Sequence, residues 1–149
     1  MSLHFVTFET DHMLWLQDVG AGAVSKLPGM DLQQLAEKAK TQGPCLTLME
    51  GEEAIACGGI VMLLAATAEI WLRLSRKAGP HAVRELRAQM YRWIESLRLN
   101  RLQASGPTTW KELPRFLEWL GMQSEGILRK YGPNGEDYFM YSWVRECQP

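Results

Sequence analysis

The feature that most constrains this chain is a change of hydrophobic period at Ser75. Before it, Ala68 to Leu74 alternates: Ile70, Leu72 and Leu74 point one way, and Glu69, Trp71 and Arg73 the other, the pattern of a strand. After it, Val83, Leu86, Met90, Trp93 and Leu97 recur at three- and four-residue steps. That spacing makes one apolar stripe on a long helix, with Arg84, Arg87, Glu95 and Arg98 on the opposite face. Arg76-Lys77-Ala78-Gly79-Pro80 joins the two, with proline at the helix start.

The rest of the chain supplies further elements of both kinds. Leu3 to Phe8 reads as a short strand. Thr10 or Asp11 caps a helix from His12 to about Val19, ended by Gly20 and Gly22. Pro28-Gly29 marks a turn, Asp31 caps a helix over Leu32 to Thr41, and Gly43-Pro44 stops it. Cys45 to Met49 and Ala54 to Leu64 are strand-like around a polar turn, with a bulge expected at Gly58-Gly59. Leu102 to Ala104 is a short strand. A helix follows, beginning either at Thr109, with Glu112 completing a capping box, or close to Pro114. Gly121 ends it. Met122 to Tyr131 and Asp137 to Arg145 are strands joined through Gly132-Pro133-Asn134-Gly135. Such an order predicts an α/β (α+β) domain spanning residues 1–149, with one central mixed sheet of about six to seven strands and four helices. The apolar final strand, Tyr138 to Val144, either pairs with a second copy in a homodimer or completes the sheet.

Composition excludes several function classes. The net charge of -1 argues against bulk binding of nucleic acid. Arg84, Arg87, Arg92, Arg98 and Arg101 form either a patch for an acidic partner or the solvated face of a helix. Cys45, Cys57 and Cys147 are widely spaced, and His4, His12 and His81 are scattered, so neither a disulfide framework nor a metal site is expected. Met1 to Thr10 lacks the pattern of a signal peptide, and Ile60 to Ala66, the longest apolar stretch, is too short to span a bilayer. The expectation is a soluble cytoplasmic protein with no membrane partner.

The second half resembles the GNAT family of N-acetyltransferases. Ala68 to Leu74 is similar to the family's fourth strand, and the helix after Gly79 to its third helix. Arg115-Phe116-Leu117-Glu118-Trp119-Leu120-Gly121-Met122, then Glu125-Gly126-Ile127-Leu128-Arg129-Lys130-Tyr131 and Asn134-Gly135, resemble its C-terminal ending. The arrangement is most similar to phage-encoded GNAT-like proteins. The resemblance implies acetyl-CoA as cosubstrate and an amine as acceptor. It places the pyrophosphate on the loop and helix start formed by Arg76, Lys77, Ala78, Gly79, His81 and Ala82, where backbone N–H groups and the helix dipole favour an anion. It implies that the pantetheine arm pairs with the backbone of Leu72, Arg73 and Leu74, with Leu102 to Ala104 as the other wall of the cleft. His81 stands where the family carries a small residue, and it either crowds the phosphate or, when protonated, helps hold it.

By the same resemblance Glu69 is the candidate general base; the alternative is an ordinary exposed strand carboxylate. The N–H of Leu72 or Arg73 would polarise the thioester carbonyl. The family's frequent tyrosine acid is Leu117 here, and its frequent asparagine is Trp110. Tyr131 and Tyr138 lie nearby, and Tyr131 is the candidate acid. Cys57, in an apolar strand, is expected to be a buried thiol rather than a nucleophile. Three functions follow: an acetyl-CoA-dependent N-acetyltransferase, a GNAT-like phage or prophage accessory or virion-associated binding protein that has lost catalysis, or a CoA-responsive binding module with a site but no turnover.

Overall fold

The computed structural model of the protein describes residues 2–16, 20–22 and 31–146. The elements among them are β1 (Leu3–Thr7), α1 (Thr10–Trp15), β2 (Gly20–Gly22), α2 (Leu32–Gln42), β3 (Cys45–Glu50), β4 (Glu53–Leu64), β5 (Thr67–Leu74), α3 (Pro80–Ser96), β6 (Arg101–Pro107), α4 (Leu113–Trp119), β7 (Gln123–Leu128) and β8 (Tyr138–Val144). Seven strands form a continuous path, β1-β3-β4-β5-β6-β8-β7, and β2 joins β5 off that path. All pairings are antiparallel except β5 with β6, which α3 connects as a crossover. The mixed sheet and four helices agree with the expectation from sequence. β2 was not foreseen, because a Gly-Ala-Gly triplet carries no alternation and reads as a helix stop.

Helices cover both faces of the sheet. Met90 and Ile94 of α3, with Leu113 and Leu117 of α4, pack on Ile60, Ala68 and Leu102. On the other face Met13 of α1 and Leu35, Ala36 and Ala39 of α2 pack on Cys57, Val61 and Trp71. Residues 54–61 of β4 are therefore buried without a break, as a strand between two layers must be. Full burial of a Leu, Ile or Met side chain stabilises by about 1.5–3 kcal/mol, so these two layers dominate the fold's energetics.

The caps explain where the helices begin. Asp31 accepts from Gln34 N–H at 2.8 Å, and Gln34 Oε1 accepts from Asp31 N–H at 2.9 Å. α1 starts earlier than either expected cap: Glu9 is the N-cap, and its N–H donates to His12 Nδ1 at 3.0 Å. α4 starts beside Pro114, with Glu112 as N-cap and no side-chain cap, so the box between Thr109 and Glu112 does not form. α1 ends at Trp15 with Leu16 as its C-cap, short of the expected end near Val19, and Gly20 and Gly22 lie in β2 rather than at a helix stop. The Pro28-Gly29 turn and Cys147 lie outside the described residues.

The expected bulge at Gly58-Gly59 is corrected. Both residues pair in register, Gly58 with Leu72 and Gly59 with Trp71, and the irregularities fall instead at Leu48/Met49 and Met62/Leu64. The glycines make room: a Cβ at Gly58 would sit 2.7 Å from the Trp71 carbonyl oxygen, and one at Gly59 2.8 Å from Trp71 Nε1. Of the two roles open to the final strand, β8 completes the sheet, since β6 and β7 occupy both of its edges.

Candidate active site

β5 and β6 pair only through Thr67 with Arg101, Ala68 with Leu102, and Glu69 with Gln103. Beyond Glu69 no pairing joins them. Ile70, Leu72, Ala104, Trp110 and Leu117 line a small apolar void there. Leu117 is 3% exposed and belongs to the core, so the position that the resemblance links to a tyrosine acid offers only hydrocarbon.

Glu69 sits at the point of divergence and is 5% exposed. It is not the exposed strand carboxylate of the alternative reading. Burial raises its pKa, while a hydrogen bond from Gln103 Nε2 to Glu69 Oε1, at 2.9 Å, acts in the opposite direction. Tyr131, half-exposed, stacks on Tyr138 at 5.3 Å between ring centroids. Burial, then the charge of Glu69, raises the Tyr131 pKa. The fold therefore brings these two candidate residues within electrostatic reach of each other. Cys57 is buried, and that burial pushes its thiol up to about 12, which leaves it unreactive.

The other edge of β5 is occupied by β4, and the edge freed by β6 is taken by β2. Gly20 pairs with Arg73, Ala21 with Leu72 and Gly22 with Trp71, and β2 lies beside β6 as well. Leu72 and Arg73, two of the three residues linked by resemblance to the pantetheine arm, thus already face a segment of the chain itself.

At the start of α3, Gly79 is the N-cap and no side chain caps the helix. The N–H groups of His81 and Ala82 point out of its first turn, as helix geometry requires. A Cβ at Gly79 would meet nothing within 4 Å. Gly79, Pro80, Arg84, Arg115, Phe116 and Trp119 contribute to an open groove of about 690 Å³. His81 is exposed, 3.7 Å from Glu85 one turn on, so its side chain does not fill this groove. The loop before it is less available: Lys77 N–H donates to Ser75 Oγ at 3.1 Å, and Ala78 N–H to the Ser75 carbonyl at 3.0 Å. An anionic group fits the uncapped helix start better than it fits the loop. Arg87, from the helix face read as solvated, lies over the rings of Tyr91 and Trp119 at 5.5 and 5.2 Å.

Sequence reasoning missed Gln103 as a partner of Glu69 and placed Arg101 only in a basic set. The available signal was alternation in β6, where polar Arg101 and Gln103 interleave with apolar Leu102 and Ala104. Among the described residues no group of three or more His, Cys, Asp and Glu could hold a metal ion, and no helix is long and apolar enough to cross a membrane.

No protein-family model matches the chain, and no curated protein matches it in sequence. Solved structures do match in fold. A ribosomal-protein-S5-alanine acetyltransferase from Vibrio fischeri superposes with a TM-score of 0.73 at 10% identity, over 100% of this chain and 97% of that one. A GNAT-family acetyltransferase from Streptococcus pneumoniae gives 0.71 at 11% identity, over 96% and 99%. A Salmonella typhimurium structure described as an acetyltransferase with its cofactor acetyl-CoA gives 0.74 at 9% identity, over 99% and 96%. With its parted β5 and β6, the crossover helix between them and the hairpin that closes the sheet, this chain has the fold of the GNAT acetyltransferases.

Proposed function

We propose that residues 1–149 form one acetyl-CoA-dependent N-acetyltransferase domain that modifies an amine acceptor. The observation that carries this reading is the placement of Glu69: buried, at the divergence of β5 and β6, and close enough to Tyr131 for its charge to raise the Tyr131 pKa. The uncapped start of α3 and the open groove beside Gly79 fit the diphosphate and adenosine end of acetyl-CoA. When bound, acetyl-CoA supplies a thioester whose acetyl group passes to the amine. Glu69 takes the proton that the acceptor must lose before it can attack, directly or through water. Tyr131 is the proton donor for the departing thiolate in this reading, since Leu117 has none. Acceptors of the kind named for the Vibrio fischeri neighbour, the amine of a ribosomal protein, belong in the first panel to be tried.

One observation favours a second reading, a GNAT-like binding protein of the phage type that has given up turnover. β2 pairs with Trp71, Leu72 and Arg73, on the strand edge the pantetheine arm would need. Two measurements separate the readings. A ligand that binds only the native state raises its stability, by about 2.7 kcal/mol at a concentration 100 times Kd. Acetyl-CoA is expected to raise the melting temperature, and no rise at saturating concentrations leaves the binding-protein reading. Glu69→Gln is expected to cut kcat/KM about 100-fold or more while keeping that rise. Unchanged transfer removes Glu69 as the base.

A further inference from the structure

On the sheet face that carries Glu69, a row of polar side chains runs from β5 across to β7. Register places Glu69 opposite Gln103, Gln103 opposite Ser142, and Ser142 opposite Gln123. Gln103 Nε2 donates to Glu69 Oε1 at 2.9 Å. Arg101 Nε donates to Gln103 Oε1 at 3.0 Å. Arg101 in turn grips Glu125 with two prongs, Nη1 to Oε2 at 2.7 Å and Nη2 to Oε1 at 2.8 Å, and the Ser142 hydroxyl donates to Glu125 as well.

A side-chain amide has two faces, one that only accepts and one that only donates. Arg101 is a donor and nothing else, so it selects the oxygen face of Gln103. The amide's donor face must then turn to Glu69. Were the amide reversed, its oxygen would meet a carboxylate oxygen and its NH2 a guanidinium, and both contacts would be lost. The bidentate pair with Glu125 holds Arg101 in the orientation that makes this selection. Around Glu69, the facing residue from β4 is Val61, which does not titrate. The charged and titratable groups in reach among the described residues are Tyr131 and, through Gln103, the Arg101–Glu125 pair.

We propose that Gln103 is a positioning residue, which holds the Glu69 carboxylate at the divergence of β5 and β6 and favours its charged form, with Arg101 and Glu125 fixing the direction of the Gln103 amide. This rests on the reading of Glu69 as the base. A donor lost from a charged acceptor is worth about one pH unit in that acceptor's midpoint. Carbon-13 NMR titration of the Glu69 carboxyl, identified by its absence in Glu69→Gln, reads the effect without needing turnover. Gln103→Met, which keeps the volume and removes the donor, is expected to raise the Glu69 midpoint by about one pH unit. Arg101→Lys, which leaves the amide free to turn, is expected to raise it by less. The second variant also serves if the first does not fold.

The acid limb of kcat/KM against pH is followed in parallel. A limb that moves with the NMR midpoint supports both the positioning role and the base. A midpoint that moves while the limb stays supports the positioning role and removes Glu69 as the base. A midpoint unchanged in a natively folded Gln103→Met overturns the proposal, whatever the kinetics show.

Discussion

Glu69 has a cost to the fold that follows from its position. Its folded-state pKa is raised, chiefly by burial, above the 4.5 of an ordinary glutamate. The native protein therefore holds this proton to higher pH than the unfolded chain does. The stability linked to it is fully present below about pH 4.5 and is lost as pH rises through the folded-state value. Glu69→Gln removes the titration and keeps an acceptor for Gln103. We expect this variant to be more stable than the wild type at neutral pH, and to lose that advantage in acid, as urea unfolding across the pH range would record. Equal stability at neutral pH would mean that the carboxylate is better solvated than its burial implies. The Arg101–Glu125 pair contributes little by comparison. Its side chains are 28% and 39% exposed, and such pairs are typically worth about 0–1 kcal/mol. Its importance is directional, through Gln103.

At the scale of elements, β2 and α3 bear in opposite ways on the proposed acetyl-CoA site. The start of α3 is open, uncapped and flanked by Arg84 and Arg115. β2 holds the strand edge that the proposed function assigns to the pantetheine arm. A ligand that binds only the form with β2 displaced has an apparent Kd equal to its intrinsic Kd divided by the fraction of molecules in which β2 is displaced. Proline has no N–H and fits poorly within a paired strand. Ala21→Pro is therefore expected to tighten acetyl-CoA binding several-fold by calorimetry. Unchanged affinity would show that β2 and the cofactor do not compete. α4 offers no such ambivalence, since Leu113 and Leu117 are buried and its start is set by Pro114.

At the scale of the whole molecule, one sheet separates two apolar layers, with Ile94 in the layer under α3 and α4 and Leu35 in the layer under α1 and α2. Ile94→Val is expected to cost about 0.5–1.5 kcal/mol and Leu35→Ala about 2–5 kcal/mol. These side chains share no partners across the sheet, so the double variant should match the sum within about 0.5 kcal/mol in denaturant unfolding. A larger departure would mean that the sheet transmits packing strain from one face to the other. The largest elements were legible in the sequence because their periods are local: the stripe of α3, the alternation of β5, and the turn before β8 each lie within a few residues of one another. The bulge expected at Gly58-Gly59 failed for the opposite reason. Those glycines answer to Trp71, which is distant in sequence and adjacent in space.

The same division holds for the candidate site. The sequence by itself determined a mixed sheet with four helices, a strand–loop–helix unit across Ser75, and Glu69 on the strand face opposite Ile70, Leu72 and Leu74. A period and a turn are properties of neighbouring residues, so they survive without tertiary knowledge. Only the tertiary structure decided that Glu69 is buried, that Gln103 bonds to it, that Tyr131 feels its charge, and that Gly20–Gly22 lies along β5. Each of these depends on register between strands that are far apart in the chain, and register is set by packing of the whole sheet, which local patterns do not contain.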